Sequence, residues 1–216
     1  MNGNDVSLRD GSVVHIREVR SGDSPLLVDG FARLSVESRQ LRFLTGKSSL
    51  SPAELRYFTE IDHHNHEAFG AVNPVDGRGL GIARYIRHLH DSQGAEVAVT
   101  VIDEWQRRGL GTELLTRLAD RARQEGVHRF TGLVAAENVA VAGLLKDIRV
   151  GVRVAASDDE AVEYAIDLPP RGLGEELHSL LRAFGRRQFR SPVSISETLA
   201  GLTPEDLTGD SPKAGS

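Results

Sequence analysis

Between Ala95 and Val134 the hydrophobic period changes twice, and this restricts the fold more than any other stretch of the 216-residue chain. Ala95 to Ile102 alternates as a half-buried strand does. Leu114, Leu115, Leu118, Ala119 and Ala122 then fall on one face of a helix that stops at Gly126, and Val127 to Val134 is strand-like again. A helix between two strands predicts parallel neighbours in one sheet. The joining turn is Gln106-Arg107-Arg108-Gly109-Leu110-Gly111-Thr112. Its two glycines remove side chains that would block close approach, and the helix opens with unpaired N–H groups at the positive end of its dipole. Such a turn is a cradle for a phosphate, and the two strands are expected to splay beside it.

Arg-Gly-Leu-Gly occurs three times, so context must choose among the copies. Arg78 to Gly81 follows the turn residues Asn73-Pro74-Val75-Asp76-Gly77 and runs into a strand, which predicts a hairpin without a helix N-terminus. Arg171 to Gly174 precedes a helix, but Glu175 and Glu176 would repel a phosphate and no later strand completes a crossover. The middle copy is the anion site. It is neither a dinucleotide fingerprint, which needs a third glycine, nor a P-loop, which needs Gly-Lys-Ser/Thr.

The other elements follow from the same signals. Val13 to Val19 reads as the first strand, Leu26 to Leu34 as a helix after Ser21-Gly22-Asp23-Ser24-Pro25, and Ser35 to Phe43 as a second helix. Ser51-Pro52-Ala53-Glu54 has the form of a capping box. Ala68 to Asn73 and Gly81 to Arg87 form a hairpin, Asn138 to Lys146 a short helix, and Val150 to Ala155 with Val162 to Leu168 a closing hairpin. Residues 1–10 read as a polar tail, 11–168 as the folded domain and 169–216 as an extension with a helix at Glu175 to Phe184 and a Gly/Pro/Ser-rich end.

Composition removes several function classes. With no cysteine there is no disulfide, thiolate metal site or acyl-Cys intermediate. A net charge of -5 gives no general attraction to nucleic acid or anionic lipid. No apolar run has the length of a membrane span and the N-terminus lacks a secretory core, so a cytoplasmic protein is expected.

The pattern Gln/Arg-x-x-Gly-x-Gly/Ala after a strand, complete in Gln106 to Gly111, resembles the coenzyme A pyrophosphate loop of the GNAT N-acetyltransferases. Residues 38–43, 61–69, 81–85 and 95–99 resemble one branch, the bacterial Pat-type protein lysine acetyltransferases. The resemblance implies an α+β (α/β) GNAT fold: a mixed, mostly antiparallel sheet, splayed between the strands starting at Ala95 and Val127 (the fourth and fifth expected), with helices on both faces. It implies acetyl-CoA as cosubstrate with no metal required, and an amine acceptor, first a protein lysine such as one on an acyl-CoA synthetase. Cyclic-nucleotide-binding or synthetase-like domains are common in this branch; 216 residues leave no room for either, so regulation by cyclic AMP is not expected.

Carried over by position, the backbone of Val99, Thr100 and Val101 would bind the pantetheine arm. Arg107, Arg108, Gly109, Leu110, Gly111 and Thr112 would hold the pyrophosphate, Asn138 would contact the cofactor, and Glu96 would be the general base. Val99 and Val101 also suit a plain core, Asn138 a helix cap, and Glu96 a solvated strand.

A base is needed because at a reference pKa of about 10.4 only roughly one lysine in a thousand is neutral near pH 7.4. Burial that raised Glu96 toward neutrality would fit it for the task, and an N–H near Val99 would polarise the thioester carbonyl. The tyrosine acid that many acetyltransferases place seven residues after the asparagine is here Leu145. A thiol leaves readily without it.

His63, His64 and His66 are read as structural or substrate-lining, with a regulatory metal site as the other possibility. Arg39, Arg42, Arg56 and Tyr57 are candidates for acceptor recognition, with solvated surface charge as the plain alternative. Two further functions remain open: acetylation of a small amine, and a coenzyme-A-binding regulatory module in which Glu96 has no catalytic duty.

Overall fold

The computed structural model describes residues 3–36, 38–39, 48–135, 152–157 and 161–171. Among these, eight strands form one sheet: β1 (Gly3–Ser7), β2 (Val13–Glu18), β3 (His66–Val72), β4 (Gly79–His88), β5 (Asp91–Val101), β6 (Arg129–Ala135), β7 (Val152–Ser157) and β8 (Ala161–Asp167). Their spatial order is β1-β2-β3-β4-β5-β6-β8-β7, so β8 lies between β6 and β7. Every pair is antiparallel except β5 and β6. That exception is the one the crossover requires.

Three α-helices are described from end to end: α1 (Ser24–Ala32), α2 (Pro52–Thr59) and α3 (Leu110–Gln124). α3 buries Leu114, Leu115, Leu118, Ala119 and Ala122, the apolar stripe read from the sequence, and Leu110 besides. Each fully buried leucine contributes about 1.5–3 kcal/mol. The capping box opens α2: Ser51 Oγ accepts from the Glu54 N–H at 3.3 Å while Glu54 Oε2 accepts from the Ser51 N–H at 2.8 Å. Of the expected second helix, residues 36, 38 and 39 are helical; 40–43 lie outside the described residues, as do 138–146 and 175–184. No helix among the described residues is long and apolar enough to cross a membrane.

Two strands exceed the expectation. Gly3–Ser7, read as part of a polar tail, pairs along its length with β2 from Gly3↔Arg17 to Ser7↔Val13. The polar run Asp91 to Gln93 belongs to β5, where Asp91 pairs ionically with Arg129 and Gln93 O accepts from the His128 N–H at 2.8 Å.

Register sorts the side chains onto two faces. Ala68 lies opposite Arg84, Arg84 opposite Ala98, and Ile86 opposite both His66 and Glu96. These residues therefore share one face, which α1 and α2 cover, Phe58 packing with Ala98. Glu67, Tyr85, Val97, Val99 and Val101 point the other way, toward α3.

Candidate active site

β5 and β6 pair at only three positions, Gly94↔Arg129, Ala95↔Phe130 and Glu96↔Thr131. Beyond Glu96, β5 stays paired to β4 as far as Gly81↔Val101, while β6 continues with β8 to Ala135↔Ala161. The two strands part at the predicted place. Gly81 lets β4 follow β5 closely there, since a Cβ on it would stand 2.9 Å from Thr100 O.

α3 opens where β5 ends. Its N-cap, Gly109, has φ +97°, a left-handed conformation that L side chains rarely adopt, and the helix takes no side-chain cap. Glu113 is the first residue to donate within the turn, to Gly109 O at 3.1 Å. The N–H groups of Leu110, Gly111 and Thr112 precede it and have no intrahelical acceptor. A Cβ on Gly111 would meet Val101 Cγ2 at 3.7 Å, an ordinary contact, so only the first glycine is conformationally required.

The turn is tied down on both sides. Gln106 Nε2 donates to Val101 O at 3.1 Å and lies 3.4 Å from Ser38 Oγ. Ser38 in turn donates to Asp103 at 2.8 Å, and Asp103 also receives the Ser35 N–H and hydroxyl. Burial pushes the Asp103 carboxyl up, but these hydrogen bonds outweigh it and leave the group below the usual range. Arg108 donates to Glu104 O at 3.0 Å and Asp10 Oδ2 at 3.2 Å and stacks 4.8 Å over Trp105. Arg107, at φ +62°, is exposed. The two arginines are thus unequal: one is anchored, the other turned to solvent.

Glu96 is half-buried at the last β5 position that pairs with β6. Beside it, Thr131 of β6 is buried and hydrogen-bonded at 3.0 Å to His88. Diagonally across on β4 stands Arg84, 3% exposed. Its guanidinium carbon lies 4.3 Å from the Phe58 ring centre and 5.4 Å from that of Tyr57, and none of its three nitrogens has a hydrogen-bond partner among the described residues. Burial pulls the Arg84 pKa down, against the opposing pull of Tyr57 and Glu96. Tyr57 Oη and His66 Nε2 are likewise buried without a partner, their rings 5.4 Å apart. Burial raises the Tyr57 pKa, and burial reinforced by Arg84 lowers His66 to about 3. Sequence reasoning gave Arg84 no role; the signal was an arginine at a strand position whose same-face neighbours, Ile82 and Ile86, are apolar.

The three histidines diverge. His63 Nδ1 is 2.8 Å from Glu67 Oε1, His64 Nδ1 is 2.5 Å from Glu125 Oε2, and the His66 ring lies tilted against that of Tyr57. Arg39 donates to Ala32 O and Leu34 O, each at 3.0 Å, and so ties down the end of α1 rather than facing an acceptor. Arg56 is exposed. Val99 and Val101 pack against the core, while Thr100 lines a cavity of about 110 Å³ between α1 and the sheet, walled also by Leu27, Phe31, Phe58, Ile82 and Arg84. Asn138, Leu145 and Arg42 lie outside the described residues.

Comparison with known proteins agrees with this geometry. The profile of the Acetyltransferase (GNAT) family matches residues 35–148. Acetyltransferase Pat of Mycolicibacterium smegmatis is 32% identical over 169 residues, 76% of this chain and 49% of its own, so this chain spans about half of that relative. An acetyltransferase of Pseudomonas aeruginosa is 36% identical over 140 residues, 64% of this chain and 75% of its own. The GNAT domain of S. lividans PAT superposes with a TM-score of 0.67 at 29% identity, covering 77% of this chain and 97% of that one. With a sheet that parts after Glu96, a glycine-opened helix at the gap and relatives of this kind, the chain belongs to the acetyltransferase (GNAT) family.

Proposed function

We propose that this chain moves an acetyl group from acetyl-CoA to an amine, a protein lysine first, with Glu96 as general base. One observation carries the reading: β5 leaves β6 directly after Glu96, and the same strand ends at the uncapped mouth of α3. The gap offers the main chain of Val99, Thr100 and Val101 to the pantetheine arm. The free amides of Leu110, Gly111 and Thr112, with Gly109 and the cations of Arg107 and Arg108, suit a pyrophosphate. Asn138 is assigned to the same cosubstrate on the family resemblance.

Bound there, acetyl-CoA supplies the activated acetyl group. Glu96 stands beside the gap and takes the proton of the attacking amine, directly or through one water. A backbone N–H near Val99 donates to the acetyl carbonyl. Similarity to acetyltransferases named Pat supports acetyl transfer, and the resemblance of residues 38–43, 61–69, 81–85 and 95–99 to Pat-type protein lysine acetyltransferases favours a lysine acceptor.

Two variants test this. Gly109→Glu places a carboxylate and a strained backbone at the helix mouth and should abolish acetyl-CoA binding by calorimetry while circular dichroism stays native; unchanged affinity removes the cradle. Turnover is then measured on protein and free-amine panels. Acetylation of free amines alone would discard the lysine acceptor and keep acetyl transfer, and binding without turnover on either panel would leave a coenzyme-A-binding regulator.

A further inference from the structure

Arg84 is the one described guanidinium that is both enclosed and without a hydrogen-bond partner among the described residues. Such burial is costly. A guanidinium removed from water without a hydrogen-bonded partner loses hydration that the faces of two rings only partly return. A methionine or leucine would fill the volume without that cost. The residue lies beside the proposed base, one step diagonally across β4 and β5, where same-face neighbours stand about 7–8 Å apart.

We propose that Arg84 is a positioning residue for the acetyl transfer: its fixed, water-shielded charge keeps Glu96 ionised and disfavours the ammonium form of an amine brought to it. The inference rests on the reading of Glu96 as base. A carboxyl against apolar walls drifts toward its protonated form and then cannot take up the proton of an amine. A buried cation opposes that drift and, unlike a surface cation, is scarcely screened by salt. Acting on the acceptor, the same charge favours the neutral amine, the only form that attacks.

Among the charged groups that face it, Glu96 is the one anion that acts on Arg84. Tyr57 and Phe58 face it from α2, neutral His66 from β3 and Glu96 from β5, with Thr131 and His88 beyond Glu96. Asp62 and His63 act on His66 from the loop before β3. Arg17 and Asp23, which also line the cavity, are bound to each other at 2.7 Å and add no net charge.

The test reads Glu96 directly and needs no acceptor. Glu96 is titrated through its carboxyl carbon by NMR in glutamate-labelled protein, its resonance assigned with Glu96→Gln, in the wild type and in Arg84→Met, Arg84→Gln and Arg84→Lys. The Glu96 midpoint should rise by about one pH unit in the two neutral variants and return near the wild-type value with lysine. The His66 midpoint should rise alongside. Equal Glu96 midpoints in all four proteins would overturn the proposal, and so would failure of both neutral variants to fold, since the charge would then be structural. If Glu96→Gln left turnover intact, the base assignment would fall while the measured coupling of the two side chains stood.

Discussion

The two faces of the sheet treat buried polar groups in opposite ways. Toward α3, Glu67 is fully buried and fully engaged: Oε1 meets His63 at 2.8 Å and the Ala68 N–H at 2.9 Å, and Oε2 meets Arg121 at 3.0 Å. Arg121 goes on to the His63 carbonyl and to Glu125, and Tyr85 donates to the His64 carbonyl. Toward α1 and α2, Arg84 is buried and Tyr57 and His66 are half-buried, with buried polar atoms that have no hydrogen-bond partner among the described residues. The first arrangement holds the loop before β3 onto α3. The second surrounds Glu96 with poorly satisfied groups, a cost to stability that structures bear at working sites.

The contrast breaks most sharply at Glu96. Glu96→Gln should lower kcat by about 10²- to 10⁴-fold, with acetyl-CoA affinity and the urea midpoint close to wild type. Loss of stability and rate together would place Glu96 among the structural groups. On the opposite face the effects exchange: Arg121→Ala leaves Glu67 short of its cation and should cost about 3 kcal/mol in urea denaturation, with kcat retained at low temperature.

His66 gives a pH signature for the α1/α2 face. It is held neutral down to about 3 in the fold, whereas the unfolded chain takes up that proton from about 6.5. Stability tied to His66 is therefore present above pH 6.5 and is lost as the pH falls from 6.5 toward 3. His66→Phe should flatten the decline of the urea midpoint between pH 7 and pH 4; an unchanged slope would show that His66 is not desolvated. The smallest change is at the cap of α2, where Ser51→Ala should cost about 1 kcal/mol and leave turnover unaltered.

The elements that position the cradle were legible because each depends on local pattern. The stripe Leu114, Leu115, Leu118, Ala119 and Ala122, the Ser51–Glu54 cap and the Pro74–Gly77 turn are set by neighbouring residues. β1 was not legible, because Gly-Asn-Asp-Val-Ser has no apolar alternation and is held by backbone pairing to a strand folded back on it. Asp91 to Gln93 escaped for a related reason: its partners Arg129 and His128 lie across the crossover. Arg84 and Glu67 are charged residues inside strands, and only the packed tertiary structure shows one satisfied and the other not.

A crystal structure with acetyl-CoA bound would show directly whether the gap after Glu96 and the mouth of α3 hold the cosubstrate. The pyrophosphate is expected on the amides of Leu110, Gly111 and Thr112, the pantetheine arm along Val99 to Val101 in the gap between β5 and β6, and the thioester within one water of Glu96. Cosubstrate bound elsewhere, with the gap closed by β6 pairing beyond Glu96, would contradict that placement.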